Sequence, residues 1–217
     1  EQKEAEQADQ QTQDVLDYLH AENDYRKHVM KPTEKLQKTI YDEIIGRIKQ
    51  DDSSVPITVN GYTYYTRFEK GQDYPYYCRE KAEDNTKEEV MLDVPTMAEG
   101  YAYYAIGGRS VSENNKILAY AVDTVSRREY TLYFKNLETG EILSDKIDNT
   151  TGGITWANDN QTLFYVKKDP QTLRAYQIFK HRLGTDTSED ELVYEETDET
   201  FSCWISKTKS RQYLMIG

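Results

Sequence analysis

One pattern recurs along this chain at intervals of about fifty residues. A pair of strand-like segments, Tyr62–Thr66 and Tyr74–Cys78, returns as Lys116–Ala121 with Tyr130–Phe134, and again as Thr162–Val166 with Tyr176–Lys180. A fourth copy begins at Gln212–Ile216, where the sequence stops. A fixed period of this size means stacked supersecondary units, each burying its faces against its neighbours. It also predicts that the last unit is cut short.

Each unit carries more than the pair. An apolar lead-in comes first: Tyr101–Ile106, Gly153–Trp156, Phe201–Ile205. A polar turn follows, at Glu113–Asn115, Asn158–Asn160 and Lys207–Ser210, and then the two strands. A closing strand ends the unit: Glu89–Asp93, Glu141–Ser144, Glu191–Tyr194. The segments are rich in Tyr, Val, Ile and Phe, which suit a pleated, half-buried surface. Four strands in about 45 to 50 residues is the size of a β-propeller blade. A plain antiparallel sandwich also has short strands and regular turns, but it has no reason to repeat this order. The pattern predicts a mainly β chain with about three blades, near 54–93, 101–147 and 151–196, and a truncated fourth at 199–217. The first three should form separate four-stranded sheets packed face to face, with the lead-in strands innermost. One continuous sheet through these strands would sink the propeller assignment.

The first fifty residues differ. Residues 1–14 are polar and are expected to fray. Val15, Tyr18, Leu19, Tyr25 and Val29 are spaced for one helix face, and Leu36, Ile40, Ile44 and Ile48 for another. Pro32 between them fits a first helical position. The pattern predicts a helical hairpin over 1–53, ahead of a strand region at 54–217, with an apolar face that needs a partner.

Several chemistries find no support. The net charge of −12 speaks against nucleic acid. No apolar run approaches a membrane span, and no signal peptide is visible. There is no His or Cys pair at metal-ligand spacing and no glycine-rich phosphate loop, so no metal or cofactor is expected. Asn158-Asp-Asn160 lacks the remaining ligands of a calcium loop and reads as a hairpin turn. Cys78 and Cys203 lie in different repeats and read as free thiols of a reducing compartment. This points to the cytoplasm. The sequence begins with Glu1, so a lost leader and a periplasmic location stay open.

A resemblance is specific to other segments. Val15–Asn23, Glu43–Pro56, Ser126-Arg-Arg-Glu-Tyr130, Trp156-Ala-Asn-Asp159, Tyr176–Thr185 and Tyr194-Glu-Glu196 with Asp198 resemble the oligopeptidase B branch of the prolyl oligopeptidase family of serine peptidases. The similarity runs nearly from residue 13 to residue 217. It implies an incomplete seven-bladed propeller whose parent also carries a C-terminal α/β-hydrolase domain. That domain would partner the helical segment, through Leu36 and Ile40 among others. It further implies cleavage of short peptides after Lys or Arg, at a site between the domains to which the propeller restricts access.

The chain itself offers no catalytic or substrate-binding residue. Gly108-Arg-Ser110-Val-Ser112 lacks the second glycine of a nucleophile elbow and reads as an ordinary loop. The three histidines, His20, His28 and His181, have no Ser and Asp partner set in view. The 217 residues alone are therefore expected to be inactive. Residues 186–199 carry eight acidic side chains and no basic one. They read as a charged edge that resists aggregation rather than as an attractor of basic peptides. The other functional class left open is a non-catalytic propeller that binds proteins. Gene sequence beyond Gly217 discriminates the two: blades followed by a G-x-S-x-G elbow, or a stop after the last blade.

Overall fold

The computed structural model describes residues 9–217. The chain divides into two units between Gln50 and Asp51. In the first, α1 (Gln10–Met30) is capped by Asp9, whose carboxylate accepts from the Thr12 amide at 2.7 Å. A short 3-10 turn, Lys31–Thr33, with Pro32 at its start leads into α2 (Glu34–Arg47). The expected fraying of residues 1–14 lies, for residues 1–8, outside the described residues; Gln10–Asp14 are helical. The expected hairpin is also corrected. Met30, Lys31, Thr33 and Glu34 all keep right-handed helical dihedrals. A reversal needs a residue outside that region, so the chain bends here instead of turning back. Neither helix buries a residue. Leu19, Tyr25, Leu36, Ile40 and Ile44 are all at least 47% exposed.

The second unit is built of strands. β1 (Asp52–Ser53) and β2 (Ile57–Val59) lie along the same side of β3 (Tyr62–Phe68). β1 pairs at Arg67–Phe68 and β2 at Tyr62–Tyr64, so they are two pieces of one inner strand, interrupted around Pro56. β4 (Tyr76–Lys81) and β5 (Asp84–Asp93) complete the first blade, one antiparallel sheet four strand positions wide. A turn of helix, α3 (Val94–Met97), follows, with Asp93 accepting from the Thr96 amide.

The next strands are β6 (Ala105–Val111), β7 (Ile117–Asp123), β8 (Tyr130–Asn136), β9 (Ile142–Trp156), β10 (Thr162–Lys168), β11 (Ala175–Arg182) and β12 (Glu191–Glu195). They do not form two separate sheets. All seven are linked in one antiparallel path, β6 to β12 in order. The link is β9, fifteen residues long. Its first part pairs with β8, from Ile142 to Thr150, and its last part pairs with β10, from Thr150 to Trp156, with a register shift between. Asn149 (φ 59°) and Gly152 (φ 82°) turn the strand between the two. The closing strand of one blade thus runs into the inner strand of the next without a break.

Continuity of hydrogen bonding is not flatness. In a flat sheet β6 and β9 are three spacings, about 14 Å, apart. Here the indole Nε1 of Trp156 on β9 donates to the carbonyl of Ser110 on β6 at 2.9 Å. The path folds back, and blades pack face to face. β7 shows how. Leu118, Tyr120 and Val122 join Met91, Leu92 and Tyr104 of the first blade's side in one core. Ala119 and Ala121 point the other way, into a second core with Leu132, Phe134, Trp156 and Leu163. Period-two alternation thus fills two inter-blade cores from one strand. Each fully buried Leu or Phe in them contributes roughly 1.5–3 kcal/mol. A third, smaller core joins Val166 and Ile178 to Cys203, just ahead of the final hairpin of β13 (Ile205–Lys207) and β14 (Leu214–Ile216).

Two lead-in assignments are corrected. Residues 101–104 and 201–204 are not strand; the inner strands begin at Ala105 and Ile205. β6 then runs through Gly108–Val111 of the segment Gly108–Ser112 that was expected to be a loop.

Candidate functional site

The inner-strand turns of successive units meet on one side. The residues at their tips, Asn60, Asn115, Asn160 and Arg211, all have φ between 51° and 63°, a region that asparagine tolerates well. Three of them are asparagines, and their amides tie neighbouring units together. Asn60 Nδ2 donates to the Glu113 carbonyl at 2.6 Å, and Asn115 Nδ2 to the Asn60 carbonyl at 3.0 Å. Asn160 Oδ1 accepts from the Asn114 amide at 2.7 Å. Asn158-Asp-Asn160 is thus a hairpin turn in which Asp159 accepts from the Gln161 and Thr162 amides.

A charged node sits beside this ladder. Lys207 Nζ contacts Glu113 Oε1 (2.5 Å), Asn158 Oδ1 (2.6 Å) and the Trp156 carbonyl (2.9 Å). Arg211 reaches the other oxygen of Glu113 at 2.6 Å. Burial opposes ionisation of Glu113, but the hydrogen bonds from Lys207 and Arg211 outweigh it and hold the carboxyl below its ordinary range. Arg79, 2% exposed, bonds Glu89 and the Asn115 carbonyl and stacks on Tyr62.

Between the first blade and β6 lies an open cleft of about 430 Å³. Ile57, Val59, Tyr64, Met91 and Val111 give it apolar walls, and Arg109 and Arg211 are its charged members. Its size falls in the range of small-ligand sites.

The residues that might have suggested acyl-transfer chemistry are placed otherwise. Ser110 lies within β6, not in a loop. Ser112 is buried, donates to Asn114 Oδ1 at 2.7 Å and accepts from the Ile117 amide; it shapes the turn. His20 and His28 lie in α1. His181, on β11, is fully buried, with Nδ1 2.7 Å from Asp190 and Nε2 3.2 Å from Asp145. Tyr165 donates to the same Asp190 at 2.8 Å, and burial followed by this contact pushes its phenol well up. Both ring nitrogens are occupied, so none is left to activate a hydroxyl. The two carboxylates lie at opposite ring nitrogens and do not converge on a metal position. Cys78 and Cys203 are free and buried; burial lifts the Cys78 thiol to about 12.

Comparison with known proteins bears on what this arrangement serves. The model of the prolyl oligopeptidase N-terminal β-propeller domain family matches residues 8–217. Dipeptidyl aminopeptidase BI of Pseudoxanthomonas mexicana is 43% identical over 222 residues, covering 95% of this chain and 31% of that protein. Protease 2 of Moraxella lacunata is 33% identical over 215 residues, covering 96% of this chain and 31% of that protein. The structure of oligopeptidase B from Leishmania major superposes with a TM-score of 0.85 at 34% identity, covering 94% of this chain and 29% of that one. The chain thus spans less than a third of the length of these relatives.

Proposed function

Since this chain belongs to the prolyl oligopeptidase family, as its N-terminal β-propeller domain, we propose that it serves a serine oligopeptidase that cleaves short peptides after Lys or Arg. In this reading the strand unit is not catalytic. It restricts access to an α/β-hydrolase domain in the remainder of the protein, and the apolar stripe of α1 and α2 packs on that domain. The observation that carries the reading is the match over nearly the whole chain to peptidases more than three times its length. The uncovered helix faces support it, because Leu36, Ile40 and Ile44 are more than 45% exposed and need an apolar partner. The two free, buried thiols suit a reducing compartment and support a cytoplasmic location in this reading.

The names of the relatives favour two modes of cleavage. The 43% identical one is called a dipeptidyl aminopeptidase, and the 34% identical structure an oligopeptidase B. Peptides of about ten residues with a single internal Lys, incubated with the full-length protein, separate the two by mass spectrometry of the products. A cut after Lys wherever it stands supports the first proposal. Stepwise release of N-terminal dipeptides replaces it with the second. No hydrolysis of either kind sinks the peptidase reading and leaves a binding scaffold.

A further inference from the structure

We infer that the cleft between the first blade and β6 is a subsite for the C-terminal carboxylate of a short peptide, with Arg109 as the group that receives it. The inference deepens the peptidase reading and rests on it for the choice of a peptide as occupant.

The first observation is a charge imbalance. The sequence has 39 acidic and 27 basic side chains, yet the cleft is lined by two arginines and no carboxylate. Arg211 is paired with Glu113, which it shares with Lys207. Arg109 is not. Its guanidinium carbon lies 3.5 Å from the centre of the Tyr77 ring, and among the described residues no carboxylate pairs with it. Stacking occupies a face of the guanidinium and leaves its N–H edge open. That edge matches a carboxylate by paired, charge-assisted hydrogen bonds.

The second observation is the shape of the walls. Ile57 and Val59 of β2 are 64% and 43% exposed and border the cleft with Met91, Val111 and Leu118. β2 pairs with β3 on one side only. An extended peptide lying there finds backbone donors and acceptors along β2 and apolar surface for its last side chain. An apolar wall ending at an unpaired arginine is the complement of a peptide C-terminus, and it also limits how far a chain extends past this point.

The probe is a pair of peptides, N-acetyl-Gly-Ala-Leu with a free carboxylate and the same peptide as its amide. Neither contains Lys or Arg. Calorimetric titration of the full-length protein should show the acid binding about tenfold more tightly than the amide, with the preference shrinking as salt rises. Arg109→Gln and Arg109→Met should each abolish the preference and leave the amide's affinity in place. Methionine keeps an apolar stem over Tyr77, so a folding defect confined to the glutamine variant does not spoil the test. Equal binding of acid and amide, binding of neither, or a preference that survives both substitutions overturns the inference. A parallel hydrolysis assay on Lys-containing peptides keeps the two readings apart. Absence of turnover condemns the peptidase reading, whereas turnover with no acid preference condemns the subsite alone.

Discussion

His181 is the most constrained side chain in the molecule. It is fully buried between two aspartates that are themselves almost fully buried. Removing the ring leaves Asp190 with Tyr165 and Asp145 with the Gly184 amide as their remaining contacts in a low-dielectric interior, at a cost of about 3 kcal/mol. His181→Ala should therefore lower unfolding free energy by about that amount in urea titrations; a loss below about 1 kcal/mol would mean that the aspartates find other partners. Glu113 makes a different kind of prediction. Its folded carboxyl ionises below the ordinary value of 4.5. Its contacts with Lys207 and Arg211 thus contribute in full above that value and are lost as pH falls through the lower, folded one. Glu113→Gln should flatten the decline in stability as pH falls below 4.5, relative to the parent. An unchanged slope would show that the node is neutralised by other groups.

At the scale of elements, the strand pairs were legible because Ile, Val, Tyr and Phe alternate within them, and β7, β8, β10 and β11 fall within a few residues of their expected bounds. The inner strands were legible in part: Gly153–Trp156 falls inside β9, whereas Gly108–Ser112 read as a loop. Glycine inside a strand also marks a close approach of backbones. A Cβ on Gly108 would lie 1.8 Å from the carbonyl oxygen of Gly152. Gly108→Ala should thus push β6 away from β9 and cost roughly 3 kcal/mol or block folding, measured as a fall in thermal midpoint; a neutral substitution would disprove the close packing. Other signals were present but unread. Asn60-Gly61 is a strong hairpin dipeptide, and it marks the tip that the turn ladder uses. In the site, Arg109 and Arg79 had no local signal at all, because each draws its meaning from a residue on another strand.

Over the whole molecule, surface chemistry divides sharply. The helical unit exposes Leu19, Leu36, Ile40, Ile44 and Ile48, each at least 47% accessible. The strand unit adds Phe201, Trp204 and Tyr213 near the final hairpin. Contiguous apolar area beyond about 400 Å² is uncommon on soluble monomers. The 217 residues expressed alone should accordingly bind a hydrophobic dye and associate in sedimentation runs. A monodisperse monomer without dye signal would show that these faces need no cover. The outer edge is treated differently: β12 is exposed throughout, and Glu191 and Glu195 flank its Leu192, Val193 and Tyr194. Charge at an open edge discourages strand addition.

The bend in β9 has a genealogical consequence. What recurs in the sequence is inner strand, turn, strand pair and closing strand, but no loop separates one such unit from the next at Asn149–Gly153. A duplication or excision whose breakpoints fall there divides β9 where its pairing passes from β8 to β10, at Thr150, and leaves each half with its own partner. Breakpoints a few residues either way would part a piece of β9 from the strand it pairs with. At this junction, unlike those at α3 and at residues 196–204, such a protein can lengthen or shorten its stack only by a joint in the middle of an unbroken strand.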